Sequence, residues 1–267
     1  MFEERHRKQL VSIWKEAFSD SEEYINKFLD LSCAKTYVYC DDDLVVGTVS
    51  VFDVYLENKK GAYIYALAVD SKHRGRGVAS SLLEFVQETL LLNGYDFSLV
   101  VPSPYECLES FYKNRGFLKE LHLGVSEFHR SDKESAFIYQ KATVHEYKLA
   151  RKSKQNTVFH SDEFFDYVYD DMISDGAEVL KICIDADDVF CICYNKGEYV
   201  IIKEFIGGNR ADAVSQAVMR FFNSSKAICV SSDGTVKYPY ALLKDFGSNL
   251  NFNIYANLLL DGFENRF

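Results

Sequence analysis

The residues best suited in type and arrangement to bind a ligand form a short basic loop that is rich in glycine. Its sequence is Asp70-Ser-Lys-His-Arg-Gly-Arg-Gly77, and it follows the apolar run of residues 62–69. Apolar residues then recur at helical spacing, at Val78, Ala79, Leu82, Leu83, Val86 and Leu90. A glycine loop at a helix N-terminus presents unpaired backbone N–H groups and the positive end of the helix dipole to an anion. The loop therefore predicts a phosphate-binding site.

The composition of this loop narrows the choice of phosphate ligand. Its positive charges come from Lys72, His73, Arg74 and Arg76. Gly75 and Gly77 remove the β-carbons that would hold an oxyanion away from the backbone. A P-loop requires Gly-x-x-x-x-Gly-Lys-Ser/Thr, which is absent, and a dinucleotide fingerprint requires a third glycine where Ser80 stands. An ordinary turn with solvated basic residues would explain one glycine and one arginine, but it explains the whole set poorly.

A second motif, Phe111-Tyr112-Lys-Asn-Arg-Gly116-Phe117, follows further along the chain and combines a short helix with a glycine stop. The first motif comprises the strand end Leu67-Ala-Val69-Asp70 and the loop Arg74-Gly-Arg-Gly77-Val-Ala79. Together they resemble the GNAT superfamily of N-acetyltransferases, whose hallmarks are Arg/Gln-x-x-Gly-x-Gly/Ala and then Tyr-x-x-x-Gly-Phe. The resemblance covers about residues 4–130, and the pair of motifs is far more specific than either alone.

This resemblance implies acyl transfer from acetyl-CoA, as co-substrate, to a primary amine. It implies that the backbone of Leu67, Ala68 and Val69 pairs with the pantetheine arm. The residues implied to wrap the pyrophosphate are Arg74, Gly75, Arg76, Gly77, Val78, Ala79 and Ser80. Tyr112 is implied to act as general acid on the departing thiolate, since a phenol of ordinary pKa about 10 suits a thiol of ordinary pKa about 8.5. Considered alone, Tyr112 would be one core aromatic among 18 tyrosines.

The sequence departs from the family pattern around the catalytic base. Many members carry a carboxylate on the strand before the loop, where this chain has Tyr63-Ile-Tyr65, so the base is unassigned. Glu106 and Glu109 precede Tyr112 but are expected to be solvated. Without visible orienting partners, three candidate histidines are expected to be structural, namely His122, His129 and His145. Tyr105 stands where family members often have a cofactor-touching asparagine. Some tandem relatives use a C-terminal carboxylate as base, and this chain ends at Phe267.

The elements around these motifs predict α/β layering. The first half is expected to contain two short amphipathic helices, a hairpin of strands at 36–40 and 44–52, strands at 62–69 and 97–101, and the two motif helices. Asp41-Asp-Asp43 forms the hairpin turn. Because three consecutive carboxylates on a tight turn point in different directions, we expect a solvated loop rather than a divalent-cation site.

The second half repeats this order of elements. A helix is expected at 162–174, strands at 179–184, 189–194 and 199–205, a helix at 211–222 and a strand at 227–231. Ile206-Gly-Gly-Asn-Arg210 then lies opposite the basic glycine loop but is shorter and has one arginine. We therefore expect a degenerate internal duplication that has lost cofactor binding.

The predicted fold class is α/β with a mixed α+β sheet. The first half is expected to have the GNAT acyl-CoA N-acyltransferase fold, and the second a tandem GNAT-like fold. The junction is placed at 141–160, which divides the chain into a GNAT acetyltransferase domain at 1–144 and a degenerate GNAT-like domain at 145–267. The length of 267 residues agrees with one large or two ordinary domains of about 150 residues.

The charge distribution limits the partners. The net charge is −10, with 17 basic and 22 acidic residues in 1–144 and 13 and 18 in 145–267, so each part carries −5. Because no basic tail or face is apparent, a nucleic-acid partner is not expected. The acidity favours a small cationic acceptor.

The cysteines and the N-terminus predict a cytoplasmic protein with no membrane partner. Seven cysteines show no zinc-finger or disulfide spacing, which favours a reducing compartment. Cys191 and Cys193 share one strand face and are expected to be buried, unligated thiols. The N-terminus is too charged for a signal peptide, and no run of roughly 18 apolar residues occurs.

These observations predict an acetyl-CoA-dependent N-acetyltransferase for a small amine. The alternative is a non-catalytic acyl-CoA-binding regulatory module, which the unassigned base and the altered asparagine position would fit. The sequence leaves open whether the two halves pack within one chain or across a homodimer.

Overall fold

The chain has a mixed α/β architecture, as the sequence predicts. The computed structural model describes residues 1–103, 106–132, 137–250 and 253–259, with only the backbone of residues 106 and 107. The first elements are α1 (Arg7–Phe18), α2 (Glu22–Leu29), β1 (Lys35–Asp41), β2 (Leu44–Leu56), β3 (Lys59–Val69), α3 (Val78–Leu92), β4 (Phe97–Val100) and α4 (Glu106–Lys113). Then follow β5 (Lys119–His129), β6 (Ile138–Lys141), α5 (Val144–Lys152), β7 (Val158–His160), α6 (Asp162–Ser174), β8 (Glu178–Ile184), β9 (Asp187–Asn195), β10 (Tyr199–Ile206), α7 (Ala211–Phe222), β11 (Lys226–Ser231) and β12 (Val236–Asp245). Within the described ranges, no helix is both long and apolar enough to cross a bilayer.

The chain folds into two compact units, and each unit is built from two separate pieces of sequence. Unit 1 comprises Met1–Glu120 and Ala241–Asn251, whereas unit 2 comprises Leu121–Tyr240 and Phe252–Phe267. These bounds differ from the predicted division after residue 144. The physical reason is that β5 pairs antiparallel with β11, so the chain enters unit 2 some twenty residues earlier than expected.

Unit 1 contains a mixed sheet in the order β1-β2-β3-β4-β12. β1, β2 and β3 are antiparallel neighbours, and β4 runs parallel to β3. The last strand pairs antiparallel with β4, from Leu242 opposite Val100 to Asp245 opposite Phe97. The strand that completes unit 1 therefore comes from the far end of the chain.

Unit 2 repeats this strand arrangement. β8, β9 and β10 are antiparallel neighbours, β11 runs parallel to β10, and α7 connects β10 to β11 as α3 connects β3 to β4. The antiparallel strand beside β11 is β5, which precedes the rest of the unit in sequence. The duplication predicted from the order of elements is thus present in the fold, and each unit takes its last strand from outside the consecutive segment that was expected to form it.

The core of unit 1 lies between its sheet and α3. This helix buries the stripe that its periodicity predicts, namely Val78, Leu82, Leu83, Val86 and Leu90. Gly47 on β2 allows the close approach, because a β-carbon there would lie 2.7 Å from Cγ1 of Val78. Helices α1 and α2 contribute an aromatic group in which Trp14 and Phe28 pack edge-on, 4.7 Å between ring centroids.

Most of the predicted junction at 141–160 is ordered secondary structure, namely α5 and β7. Helix α5 begins with a capping box in which the Thr143 hydroxyl accepts from the Glu146 N–H and the Glu146 carboxylate accepts from the Thr143 N–H. Arg151, which lies within the predicted junction, is 1% exposed and forms an ion pair with Glu204 at 2.9 Å. The pattern Thr-Val-His-Glu from residue 143 was the available sequence signal for this helix.

Two smaller expectations concern the acidic turn and the paired cysteines. Residues 41–43 are exposed in the turn between β1 and β2. Cys191 and Cys193 on β9 are buried and form no disulfide. The prediction that both thiols belong to the core is therefore confirmed.

Because β12 completes the core of unit 1, truncating its buried Leu242 should destabilise that unit. Leu242 is 4% exposed and lies in the same hydrophobic cluster as Val78 and Tyr112. We expect Leu242→Ala to lower the free energy of unfolding by about 2–5 kcal/mol in urea denaturation. Leu92→Ala is the matched control, since Leu92 is 86% exposed and should change stability by less than about 0.5 kcal/mol. Equal effects of both substitutions would contradict the role of β12.

Candidate active site

The edge of β3 opens where its pairing with β4 ends. The last parallel pair joins Ile64 to Val100, at which β4 terminates, whereas β3 continues beside β2 alone among the described strands. The register between β2 and β3 shifts between Thr48 and Ser50, and Ala66 has a φ of +50°. This combination is a β-bulge, in which one extra residue on β3 bends the strand. The bulge and the short β4 together leave a length of strand edge without a strand partner.

The bulge also changes which face each side chain of β3 occupies. Ile64 packs on the core beneath α3, and after the extra residue Leu67 and Val69 pack on that same core. Ala68 points to the other face, where it packs with Ile13 of α1. The extra residue reverses the alternation of side chains along the strand. Residues on both sides of the bulge therefore pack on the same core and hold the open edge in place. The shifted spacing of apolar residues from Ile64 to Leu67 is a sequence signal for this bulge, and the sequence analysis missed it.

The glycine loop holds the N-terminus of α3 open to solvent. Gly75 and Gly77 have φ of +76° and +85°, a region that strongly favours glycine, and a β-carbon on either would meet nothing within 4 Å. No side chain caps the helix at Gly77, and the first backbone bond within it runs from Ser81 N–H to the Gly77 carbonyl. The first-turn N–H groups are therefore left without a side-chain cap at the positive end of a 15-residue helix.

The basic residues of the loop divide into two groups. The Asp70 carboxylate accepts from the Lys72 N–H at 3.0 Å and lies 2.8 Å from Nδ1 of His73, and this contact with His73 is the main cause that lowers the pKa of Asp70. Arg74 donates from Nε to the Val69 carbonyl at 3.1 Å. His73 and Arg74 thus shape the loop, while the exposed side chains of Lys72 and Arg76 extend into solvent.

Tyr112 lies on α4 within the core of unit 1 and is 7% exposed. Its ring packs edge-on against Phe111 and Phe117, with centroids 5.1 and 5.7 Å away. Burial raises the pKa of Tyr112 to about 12, which corrects the ordinary value of about 10 assumed from sequence. The phenol therefore stays protonated throughout the physiological range and can serve there as a hydrogen-bond donor.

Arg115 connects the two motifs, although it was not among the site residues predicted from sequence. Its guanidinium donates to the Ser80 hydroxyl in the first turn of α3, donates to the Phe111 carbonyl at 2.7 Å, and lies 3.8 Å from the Phe111 ring centroid. Lys244 of β12 donates to the Arg115 carbonyl at 3.1 Å. The position of Arg115 inside the second motif was an available signal, but the contribution of Lys244 had none.

The other candidates for a catalytic base lie in exposed ion pairs or at the surface. Glu109 pairs with Lys113 at 2.6 Å, and the three candidate histidines, His122, His129 and His145, are exposed in unit 2. At the strand position searched for a carboxylate, the Tyr65 hydroxyl lies 3.2 Å from that of Tyr24. Three further positions named from sequence lie outside the described residues, namely Tyr105, the Glu106 side chain and Phe267.

Known proteins resemble this chain both in the sequence of its first half and in its fold. Residues 2–117 match the family model of the Acetyltransferase (GNAT) family. The fold resembles a conserved protein of unknown function from Enterococcus faecalis V583, with TM-score 0.74, 13% identity, and coverage of 92% of this chain and 72% of that one. It also resembles a GCN5-related N-acetyltransferase from Anabaena variabilis, with TM-score 0.69, 13% identity, and coverage of 90% and 70%. No curated protein matches the chain by sequence.

The duplicated arrangement has a parallel as well. A tandem GNAT protein from the clavulanic acid biosynthesis pathway has TM-score 0.56 and 10% identity, and 92% of this chain aligns with 96% of that one. The chain therefore has a tandem GNAT fold, and the family match lies within the first of its two GNAT-like parts, at residues 2–117. The family resemblance inferred from the two sequence motifs is confirmed.

Proposed function

We propose that this protein is an acetyl-CoA-dependent N-acetyltransferase whose chemistry takes place in unit 1. The observation that carries the proposal is the open edge of β3 beside the uncapped N-terminus of α3. A strand edge without a partner offers backbone donors and acceptors, which the amides of a pantetheine arm can pair as a further strand would. The residues proposed to make these contacts are Leu67, Ala68 and Val69.

The pyrophosphate is proposed to lie against the glycine loop. The first-turn amides of α3 supply donors, and the exposed side chains of Lys72 and Arg76 supply positive charge. Arg115 donates a hydrogen bond to the Ser80 hydroxyl, so it acts as a positioning residue that links the loop to the helix of Tyr112. The proposed cofactor residues are Leu67, Ala68, Val69, Arg74, Gly75, Arg76, Gly77, Val78, Ala79 and Ser80.

The proposed reaction is direct attack. The nitrogen lone pair of a neutral primary amine forms a bond to the thioester carbonyl carbon, the carbon–sulfur bond then breaks, and the electron pair leaves on the CoA sulfur. The ammonium proton is lost to solvent as the amide forms. The Tyr112 hydroxyl is proposed to donate to the departing sulfur. With a pKa of about 12 it holds its proton more tightly than a thiol of ordinary pKa about 8.5, so hydrogen-bond donation to the thiolate is the main contribution expected of it.

The acceptor is proposed to be a small cationic amine, because the chain carries a net charge of −10. Thiol release from acetyl-CoA, measured across a panel of amines, should show kcat/KM higher for spermidine and aminoglycosides than for anionic amines or peptides. Preference for anionic or peptide acceptors would overturn the acceptor class. If calorimetry shows that acetyl-CoA binds but no amine causes thiol release, the result would instead support a non-catalytic acyl-CoA-binding module.

The glycine loop can be tested with two matched substitutions at the two ends of α3. Gly77 and Gly94 both have positive φ, and a β-carbon on either meets nothing within 4 Å. Gly77→Ala and Gly94→Ala should therefore lose similar stability, about 1–2 kcal/mol each. Only Gly77→Ala should weaken acetyl-CoA binding in calorimetry, by about tenfold, which corresponds to about 1.4 kcal/mol. Equal binding by both variants would argue against the loop as the pyrophosphate site.

The role of Tyr112 can be tested with Tyr112→Phe, which keeps the ring and removes the donor. We expect kcat to fall by about 100-fold while acetyl-CoA affinity stays nearly unchanged. Tyr37→Phe is the matched control, because Tyr37 is 8% exposed in the same core cluster. We expect the kcat of this variant to stay unchanged.

The pH dependence follows from the raised pKa of Tyr112. The protonated phenol is the active form and is lost only as the pH rises through about 12, so this group should cause no decline in kcat up to about pH 10. An alkaline decline in kcat near pH 9 that disappears in Tyr112→Phe would contradict this assignment. A Tyr112→Phe variant with the same kcat as the unsubstituted protein would contradict it as well.

A further inference from the structure

Unit 2 repeats the opened strand edge of unit 1. β10 pairs with β11 only as far as Ile202 opposite Cys229, although β10 continues to Ile206 and β11 to Ser231. The register between β10 and β9 shifts between Ile202 and Glu204, as it does near the bulge in β3. The two parallel strands therefore separate at their C-terminal ends, a place where open α/β sheets commonly bind ligands.

A cavity of about 530 Å³ occupies this separation, and we call it the splay pocket. It is lined by Ala150, Ser153, Lys154, Asp188, Phe190, Phe205, Ile206, Gly207, Gly208, Asn209, Ser231, Ser232 and Asp233, all of unit 2. The volume lies within the range of small-molecule sites. Phe190, Phe205 and Ile206 are the large apolar residues of this lining, and most of the remaining side chains are polar.

Lys154 brings a positive charge to the splay pocket without an ion-pair partner in the described part of the chain. Its ammonium lies 3.7 Å from the ring centroid of Tyr255, and burial lowers its pKa. The nearest buried carboxylate, Glu204, is taken by Arg151 at 2.9 Å and by the Tyr147 hydroxyl at 2.8 Å. A cation held against an aromatic ring is in place to receive an anionic group.

Ser231 supplies a second, independent observation. It is 4% exposed and lines the splay pocket, yet its hydroxyl has no hydrogen-bond partner within the part of the chain that the structure describes. Buried hydroxyls are nearly always paired, so an unpaired one at the wall of a cavity indicates a polar ligand. Gly208 and Asn209 lead from the pocket into α7, which has no side-chain cap. Its first-turn N–H groups add further donors on the same side.

The acidic and basic residues nearby exclude a polyanion such as the pyrophosphate of CoA. Asp188 and Asp233 both line the pocket, and among the described residues only Asp188 has a salt bridge, with Lys181 at 2.9 Å. The single arginine of the loop, Arg210, is turned toward Asp187 and the Ile184 carbonyl. With Lys154 as the cation and carboxylates nearby, the pocket can balance at most a single negative group.

We propose that the splay pocket of unit 2 binds a small amphipathic monoanion, with its carboxylate or phosphodiester group on Lys154 and Ser231 and its apolar body against Phe190 and Phe205. The two head groups share the same chemistry, since both present oxygen acceptors to an ammonium and a hydroxyl. This site is separate from the proposed acetyl-CoA site and does not depend on it.

Calorimetry on the full chain with hexanoate and methyl phenyl phosphate, a singly charged phosphodiester, tests the proposal and distinguishes the head groups. At least one probe should bind, and uncharged hexanamide should bind at least about tenfold more weakly than hexanoate or not at all. Lys154→Met keeps the apolar stem and should weaken the bound probe by about tenfold or more. Ser231→Ala should weaken it by about threefold, a smaller change because it removes one neutral donor.

Two controls make the result specific to this pocket. Lys152→Met removes an exposed lysine that pairs with Asp162 at 2.6 Å, and it should leave probe binding unchanged. Saturating acetyl-CoA should not displace the probe, because the expected sites belong to different units. Absence of binding by both probes, wild-type affinity in Lys154→Met, or displacement by acetyl-CoA would each overturn the proposal. If Lys154→Met does not fold, the comparison of hexanoate with hexanamide and the Ser231→Ala variant still decide it.

Discussion

The separation of β3 from β4 after the pair Ile64–Val100 is the constraint on which the rest of unit 1 depends. Two parallel strands that stayed paired would satisfy their own backbone groups and leave nothing for a ligand. The bulge at Ala66 bends β3 and returns Leu67 and Val69 to the core, so the open edge is held on both flanks by buried side chains. Fixed in this way, the edge can present its backbone groups without closing on itself.

The glycine loop and the tyrosine helix form one assembly around that edge. Arg115 stacks on Phe111 and donates to Ser80, so it links the end of α4 to the start of α3. Lys244 contacts the carbonyl of Arg115 from β12, a strand that arrives from the end of the chain. The same tight burial that positions Tyr112 also weakens it as an acid, because an ionised phenol would be poorly solvated there.

Local patterns in the sequence were sufficient for the elements and for the family. Apolar spacing predicts α3, β-branched and aromatic residues predict the hairpin before it, and the paired glycines at 75 and 77 predict a loop at the helix N-terminus without β-carbons. These features depend on neighbours within a few residues, so sequence spacing alone contains them. The capping box at Thr143 is of the same kind and was overlooked, which led to a linker being expected where α5 lies.

Which strands complete each sheet was decided only by tertiary structure. β5 joins β11 in unit 2, and β12 joins β4 in unit 1, because strand pairing is a long-range choice that depends on which edges are free when the chain folds. The contact of Lys244 with Arg115, the raised pKa of Tyr112 and the unpaired hydroxyl of Ser231 belong to the same class. Each arises from residues far apart in sequence, and burial, which sets their chemistry, is a property of the packed molecule.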